Sequence, residues 1–343
     1  MPHHKRPLYA IILVSFAVGL CALFALGIIW FQGPAALALR VLLATATLGL
    51  TAAILVLFIR GYRAAILLLP AAPFAFLLLW FGAITPSNDR NWSPEMARTM
   101  TYAVQGDTIV VSNVRNFRWT GPATAEPDWE TRTYDLNTLA NVDVLSLYWK
   151  GPEIAHTYFS FVWTSGEALS ISVEIRKEND EAYSAIGGFF KAYELAVLAG
   201  DERDFYGWRV FFPKEDLQLF RTRASPAQAR ALLLALLDNA NRIAKTPVFY
   251  NTLIENCTTE VWMLTAAMGK GEPLDWRIMA SGHLPEFLHD QGLLASTSSL
   301  AELRDRGHVL PAARQALDMG LSGPAFSSAI RRTAVGNTQG ADH

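Results

Sequence analysis

The chain has 343 residues and a net charge of -2, with 51% hydrophobic against only 17% charged residues. That length has room for two units, one of which can hold a sizeable core, and nothing in the near-neutral balance points to a nucleic-acid binder. Its two cysteines are Cys21, inside an apolar run, and Cys257, so the soluble remainder has no internal disulfide.

Three apolar runs come first, over about 8–31, 41–59 and 64–84. Each approaches the ~20 residues that cross a bilayer as a helix. The first is too long for a signal-peptide core, and no small-x-small cleavage pattern comes after it. Cys21 reads as membrane packing, because Leu20 before it is not the small residue that lipid attachment wants. Lys5 and Arg6 precede the first run and Arg60 and Arg63 link the second to the third, which predicts a cytoplasmic amino terminus. Arg40 opposes this and is expected to snorkel to the interface. Pro70 and Pro73 predict a kink in the third helix. The chain beyond the third run is then periplasmic. The expected division is a three-helix transmembrane region over 1–85, a thiol domain over 86–275, a helical extension over 276–320 and a disordered tail over 321–343.

Residues 86–94 form a polar connector in which Trp92 is expected at headgroup level. Strands are predicted over 108–114, within the Trp- and Thr-rich stretch 117–134, and over 142–149. Two alternating segments, 156–163 and 169–176, flank a turn at 164–168 and read as a hairpin. Period two sends Phe159, Phe161, Trp163, Leu169, Ile171, Val173 and Ile175 to one face. The other collects His156, Tyr158, Ser160, Ser170, Ser172, Glu174 and Arg176. A turn centred on Gly166 sets Tyr158 opposite Glu174 and leaves His156 diagonal to that carboxylate. This face is either part of a site or an exposed polar face with an incidental histidine. A helix is predicted over 181–198, then a charged turn leading into a strand over 200–212. There Arg203 and Arg209 pair with neighbouring carboxylates or contact phosphate. Ser225-Pro226 opens a long helix to about 244. A short strand at 248–250 precedes Asn256-Cys257 and a buried helix over 258–268. Weaker helical pattern runs over 284–317.

Cys257 is either a small buried hydrophobe or a nucleophile at a helix start, where unpaired N–H groups and the helix dipole favour a thiolate. With His156 as base and a polar residue orienting that ring, it forms a nucleophilic set. Glu174 is the expected orienter and Ser172 its rival. Asn256, Tyr158 and the backbone around Cys257 are the candidate oxyanion or supporting groups, and Arg176 and Arg203 the candidate phosphate or headgroup contacts. No zinc spacing, Walker loop or dinucleotide glycine pattern is present, so neither metal nor cofactor is expected.

Four segments carry a resemblance: Ile154-Ala-His-Thr-Tyr-Phe-Ser-Phe161, Ser170-Ile-Ser-Val-Glu-Ile-Arg-Lys-Glu178, Asp201-Glu-Arg-Asp204 and Tyr250-Asn-Thr-Leu-Ile-Glu-Asn-Cys-Thr-Thr259. In this order they resemble the Lnb N-terminal periplasmic domain family, over roughly 91–268. That family is similar to permuted papain-like thiol enzymes such as lecithin:retinol acyltransferase and the NlpC-type amidases, in which histidine precedes cysteine. The resemblance implies an α+β fold, an antiparallel sheet packed on helices, with His156 as base and Cys257 as nucleophile. It also implies action on acyl groups, since the family's named member is a lipoprotein N-acyltransferase; here, however, the apolar runs precede the domain. The resulting expectation is a periplasmic acyltransferase or lipase tethered in a bacterial inner membrane and working on membrane lipid or lipoprotein. A peptidase or amidase of peptidoglycan peptides and a non-catalytic scaffold are the alternatives.

Overall fold

A computed structural model describes residues 7–62, 65–252, 258–269 and 275–335, without the side chains of 65–68 and 258–260. The chain divides into two units, Met1–Ser87 with Tyr183–Tyr193 and Asn88–Ala182 with Glu194–His343.

The first unit is built on α1 (Leu8–Gln32), α2 (Leu37–Ile59) and α3 (Ala65–Ala83). Helices α1 and α2 are long and apolar enough to cross a membrane, and only 17% and 11% of their most apolar windows are buried. A soluble core helix would hide that surface, whereas a bilayer solvates it. Helix α3 contains Pro70 and Pro73, and its described apolar stretch, Leu69–Ala83, is shorter. Arg40 donates to Pro34 O and Trp30 O, which ties its charge to the carbonyl end of α1.

The same unit contains a segment detached from it in sequence. Gly187–Phe190 is a 3-10 turn that sets Phe190 parallel to Phe31 and against Phe24. A side chain at Gly27 would fall inside the Phe190 ring, so the close approach requires glycine there. Gln32 donates to Phe190 O and Lys191 O, while Lys191 Nζ donates to Phe81 O and Ile84 O.

The second unit holds β1 (Thr101–Gln105), β2 (Thr108–Arg115), β3 (Arg118–Gly121), β4 (Thr124–Glu126), β5 (Trp129–Asp135), β6 (Leu139–Tyr148), β7 (Ala155–Trp163), β8 (Ala168–Arg176), β9 (Glu194–Gly200), α4 (Glu202–Arg209), β10 (Asp216–Arg221) and α5 (Pro226–Lys245). After these come α6 (Thr258–Ala267), α7 (Trp276–Met279), α8 (Leu284–Asp290), α9 (Leu300–Gly307), α10 (Leu310–Asp318) and α11 (Gly323–Ala334). The main sheet runs β1-β2-β9-β8-β7-β6-β10, with β5 also on β2. It is mixed rather than antiparallel, because β2 and β9 run parallel.

Two apolar layers sandwich this sheet. Phe159, Phe161, Ile171 and Val197 face a layer that includes Leu232, Leu236 and Ile243 of α5 and Val261 and Leu264 of α6. Leu145, Tyr158, Ala196 and Leu198 face the opposite layer, with Phe205 and Tyr206 of α4, Ala313 of α10 and Phe326 and Ile330 of α11. Helix α5 starts at the expected residue because Ser225 and Gln228 close a reciprocal capping box.

Four local expectations are corrected. Residues 181–198 are not one helix: β9 occupies Glu194–Gly200. Its Leu-Ala-Val-Leu-Ala run is buried on both faces, so it lacks the alternation that marks a half-exposed strand. The charged stretch after Gly200 is α4, N-capped by Asp201. The segment after Ser322 is α11, with Phe326, Ala329 and Ile330 buried at helical spacing. Trp92 belongs to the second unit, buried beneath the Arg176 guanidinium at 4.3 Å.

Candidate functional site

The first turn of β7 is held from both sides. Leu147 of β6 is its register partner at His156, and Ser281 Oγ donates to Ala155 O at 2.6 Å and accepts from Ala155 N at 3.1 Å. Gly282 completes the clasp: its N–H donates to Glu153 O, and its carbonyl accepts from Tyr148 Oη at 2.7 Å. A Cβ at Gly282 would collide with Pro152 O. The Gly282→Ala variant should therefore lose about 1–3 kcal/mol of stability, as overpacking does. Its hydrogen exchange should rise first at 152–157, and uniform exchange with unchanged stability would refute the clasp.

The hairpin register differs from expectation by two residues. Ser160 pairs with Ser170 and Phe161 with Leu169, so the turn centres on Ser165. A shift of two preserves which side chains share a face. It brings His156 beside Glu174, with Nε2 2.9 Å from Oε1, and Nε2 also lies 2.7 Å from Ser172 Oγ. Both rivals for orienting the ring thus meet the same nitrogen. Ser172 gives its single hydroxyl proton to Glu174 Oε1 at 2.9 Å, so toward the imidazole it can only accept. This assigns the proton to Nε2 and leaves the lone pair of the neutral ring on Nδ1, which has no partner among the described residues.

The surroundings reinforce this tautomer. Tyr158 packs edge-on to the imidazole at 4.6 Å, and its buried hydroxyl accepts from Arg209 Nη2 at 2.8 Å. Arg209 Nη1 lies 3.6 Å from Glu215 Oε2. Burial alone would push the Glu174 carboxyl up, but the His156 charge and hydrogen bond, the Arg209 charge and the Ser172 hydroxyl outweigh it and hold it at about 2. Burial raises the Glu215 carboxyl despite Arg209. The His156 and Glu174 side chains keep 16% and 15% of their surface exposed, so the pair opens to solvent. Such an arrangement can accept a proton at Nδ1 and stabilise the imidazolium that results.

The rest of the polar face is covered, which overturns the picture of an exposed face. Ser170 bonds Tyr206 Oη, and Ser160 bonds Glu202. Every residue of the run Asp201–Asp204 bonds to another part of the fold. Asp201 pairs with Arg132 and Glu202 with Arg331, Arg203 bonds Asn116, and Asp204 receives Arg115 at 2.8 and 3.0 Å. Arg176 is buried and donates to Met96 O, Ala97 O and Asn88 Oδ1. Of the arginines expected at phosphate or headgroup, Arg176 is buried and Arg203 half-buried, and both are bonded to protein groups. Asn256 and Cys257 lie outside the described residues. Helix α6, next in the chain after them, packs Val261 and Leu264 in the layer opposite the His156 face. Arg209 and Glu215 complete the histidine's surroundings. Glu215 carried no signal in the sequence, and Arg209 only that of an ion pair or a phosphate contact. No group of three or more metal-ligating side chains occurs among the described residues.

A carboxylate-oriented histidine at one end of an α+β sheet, in a chain with helices able to cross a membrane, fits a membrane-anchored protein with a periplasmic domain. Residues 125–282 match the sequence model of the Lnb N-terminal periplasmic domain, so this part of the chain is similar to that family. The matched span begins in β4 and ends at the Gly282 clasp, so it includes His156, Ser172 and Glu174. No curated protein and no solved structure matches the chain.

Proposed function

We propose that the chain is a cysteine-dependent acyltransferase or lipase with a permuted papain-like domain, working on acyl esters of membrane lipid or lipoprotein. In this reading α1, α2 and α3 all span a bacterial inner membrane, the amino terminus is cytoplasmic and the thiol domain is periplasmic. The observation that carries the reading is the His156 tautomer, because Glu174 and Ser172 both meet Nε2 and leave Nδ1 basic. The Cys257 thiol gives its proton to Nδ1 as sulfur bonds to the ester carbonyl carbon. Collapse of the tetrahedral intermediate breaks the carbon–oxygen bond, and the leaving alkoxide takes the proton back. An amine or water then attacks the thioester, passes its own proton through His156, and frees the thiol. Asn256 and backbone N–H groups near Cys257 hold the oxyanion.

Full-length wild type and Cys257→Ser, expressed in bacterial membranes, test the reading by mass spectrometry of lipoprotein amino termini and phospholipids. The wild type should change the acyl pattern of one pool and the variant should not. A change confined to muropeptides would replace acyl transfer by a peptidase or amidase. A non-catalytic scaffold is the second reading, favoured by the packing of α6 in the layer opposite His156; it predicts identical lipid and muropeptide pools in both strains.

A further inference from the structure

The first unit contains a cavity of about 810 Å³ between α1, α2 and α3. Its walls include Cys21 and Ala22 of α1, Thr47 and Thr51 of α2, and Phe74 and Trp80 of α3. Few of its polar groups are open to a ligand. Thr47 and Thr51 donate their hydroxyl protons to Leu43 O and Thr47 O, each at 2.8 Å. Gln32, at one end, commits its amide protons to Phe190 O and Lys191 O, and the Gly33 N–H goes to Ile29 O.

We propose that this cleft is a binding site for one lipid acyl chain, with the chain's polar head at the Gln32-Gly33-Pro34 end. Size favours that occupant over a further helix. A helix about 10 Å wide crossing about 30 Å of hydrocarbon displaces on the order of 2,400 Å³, roughly three times the cleft. The observed volume lies within the ~300–1,000 Å³ of small-molecule sites. Charge favours the stated polarity, since Arg40 donates to Pro34 O, one of the residues lining that end, and supplies a cation beside an anionic headgroup or carboxylate. The proposal rests on the membrane-spanning reading of α1, α2 and α3 but needs none of the thiol chemistry.

The test uses full-length protein in phosphatidylethanolamine nanodiscs containing either a fatty acid or a phospholipid with a photoactivatable diazirine acyl chain. Adducts are located by peptide mass spectrometry. The site predicts adducts at Cys21, Ala22, Thr51 and Phe74 at least fivefold above those at the outward-facing Leu13, Leu42 and Leu79. The arm that labels identifies a free fatty acid or a phospholipid as the source. Ala22→Trp, which fills the cleft from α1, and Ala71→Phe, which fills it from α3, should each abolish the inner adducts and leave the outer ones. Equal labelling of inner and outer residues, or inner adducts that persist in both variants, overturns the site. Running Cys257→Ser in parallel separates the two claims: full inner labelling in that variant leaves the cleft standing even if thiol acyl transfer fails.

Discussion

The His156→Ala variant should lose at least about 10²-fold of the lipid-modifying rate, within the ~10²–10⁴ that a positioned general base contributes. Glu174→Gln should fall in the same range for a different reason. The amide keeps the size of the carboxylate but removes the charge that favours the imidazolium, and its NH2 end can turn the ring to the tautomer with the proton on Nδ1. Ser172→Ala removes only the shared hydroxyl and should cost less than about tenfold, near the worth of one neutral hydrogen bond. That ranking separates the two orienters that meet Nε2. Time courses of acyl transfer for the three variants in the same membranes decide it, and full activity of His156→Ala would end the thiol–imidazole reading. Glu174 also has a signature independent of turnover. Its carboxyl is held at about 2 against an ordinary 4.5, so it contributes stability that is present above about pH 4.5 and lost as the pH falls toward about 2. Denaturant midpoints of wild type and Glu174→Gln should therefore differ most near neutral pH and converge in acid. A constant gap would show that the variant acts through packing alone.

How much of the fold and site is legible in the sequence depends on whether the pattern is local. The hairpin 156–176 alternates cleanly, so both of its faces are assigned correctly although the turn is expected one residue late. Because that error shifts the register by two, His156 and Glu174 remain on one face and come closer than expected. The Ser225 cap and the apolar stripe of α5 are equally local signals, and they fix that helix. Strand β9 escapes notice because a strand buried on both faces looks like any short apolar run. The acidic motif 201–204 is visible as charge, but its partners Arg115, Arg132 and Arg331 lie on distant elements that only the fold brings together. For the same reason no sequence window pairs Arg209 with Tyr158 beneath the histidine.

Arg331→Leu should destabilise the protein by about 3–5 kcal/mol, the cost of removing one partner from a buried ion pair. The residue sits on α11, in the segment whose Gly- and Ser-rich opening reads as disordered. The residue is buried, and its guanidinium donates to Asp143 Oδ2 at 2.8 Å, to Glu202 Oε1 and Oε2 at 2.5 and 2.8 Å, and to Ser160 Oγ at 3.0 Å. Asp143 and Glu202 are both buried on the sheet face that carries His156, and Arg221 also bonds Asp143. Two carboxylates and two guanidiniums balance, so deleting Arg331 leaves one negative charge in low dielectric without compensation. Arg331→Lys retains the charge but lacks the planar fork that spans both Glu202 oxygens, and should lose less than Arg331→Leu. Truncation after Leu321 removes the guanidinium together with Phe326 and Ile330 and should cost more than either substitution. Pulse proteolysis of the full-length chain across a urea series measures all three. If truncation leaves the midpoint unchanged, α11 is not part of the fold; if Arg331→Leu loses less than about 1 kcal/mol, the cluster behaves like a surface pair. The expected order, truncation below Leu below Lys, makes α11 the clamp on the sheet face from which His156 works.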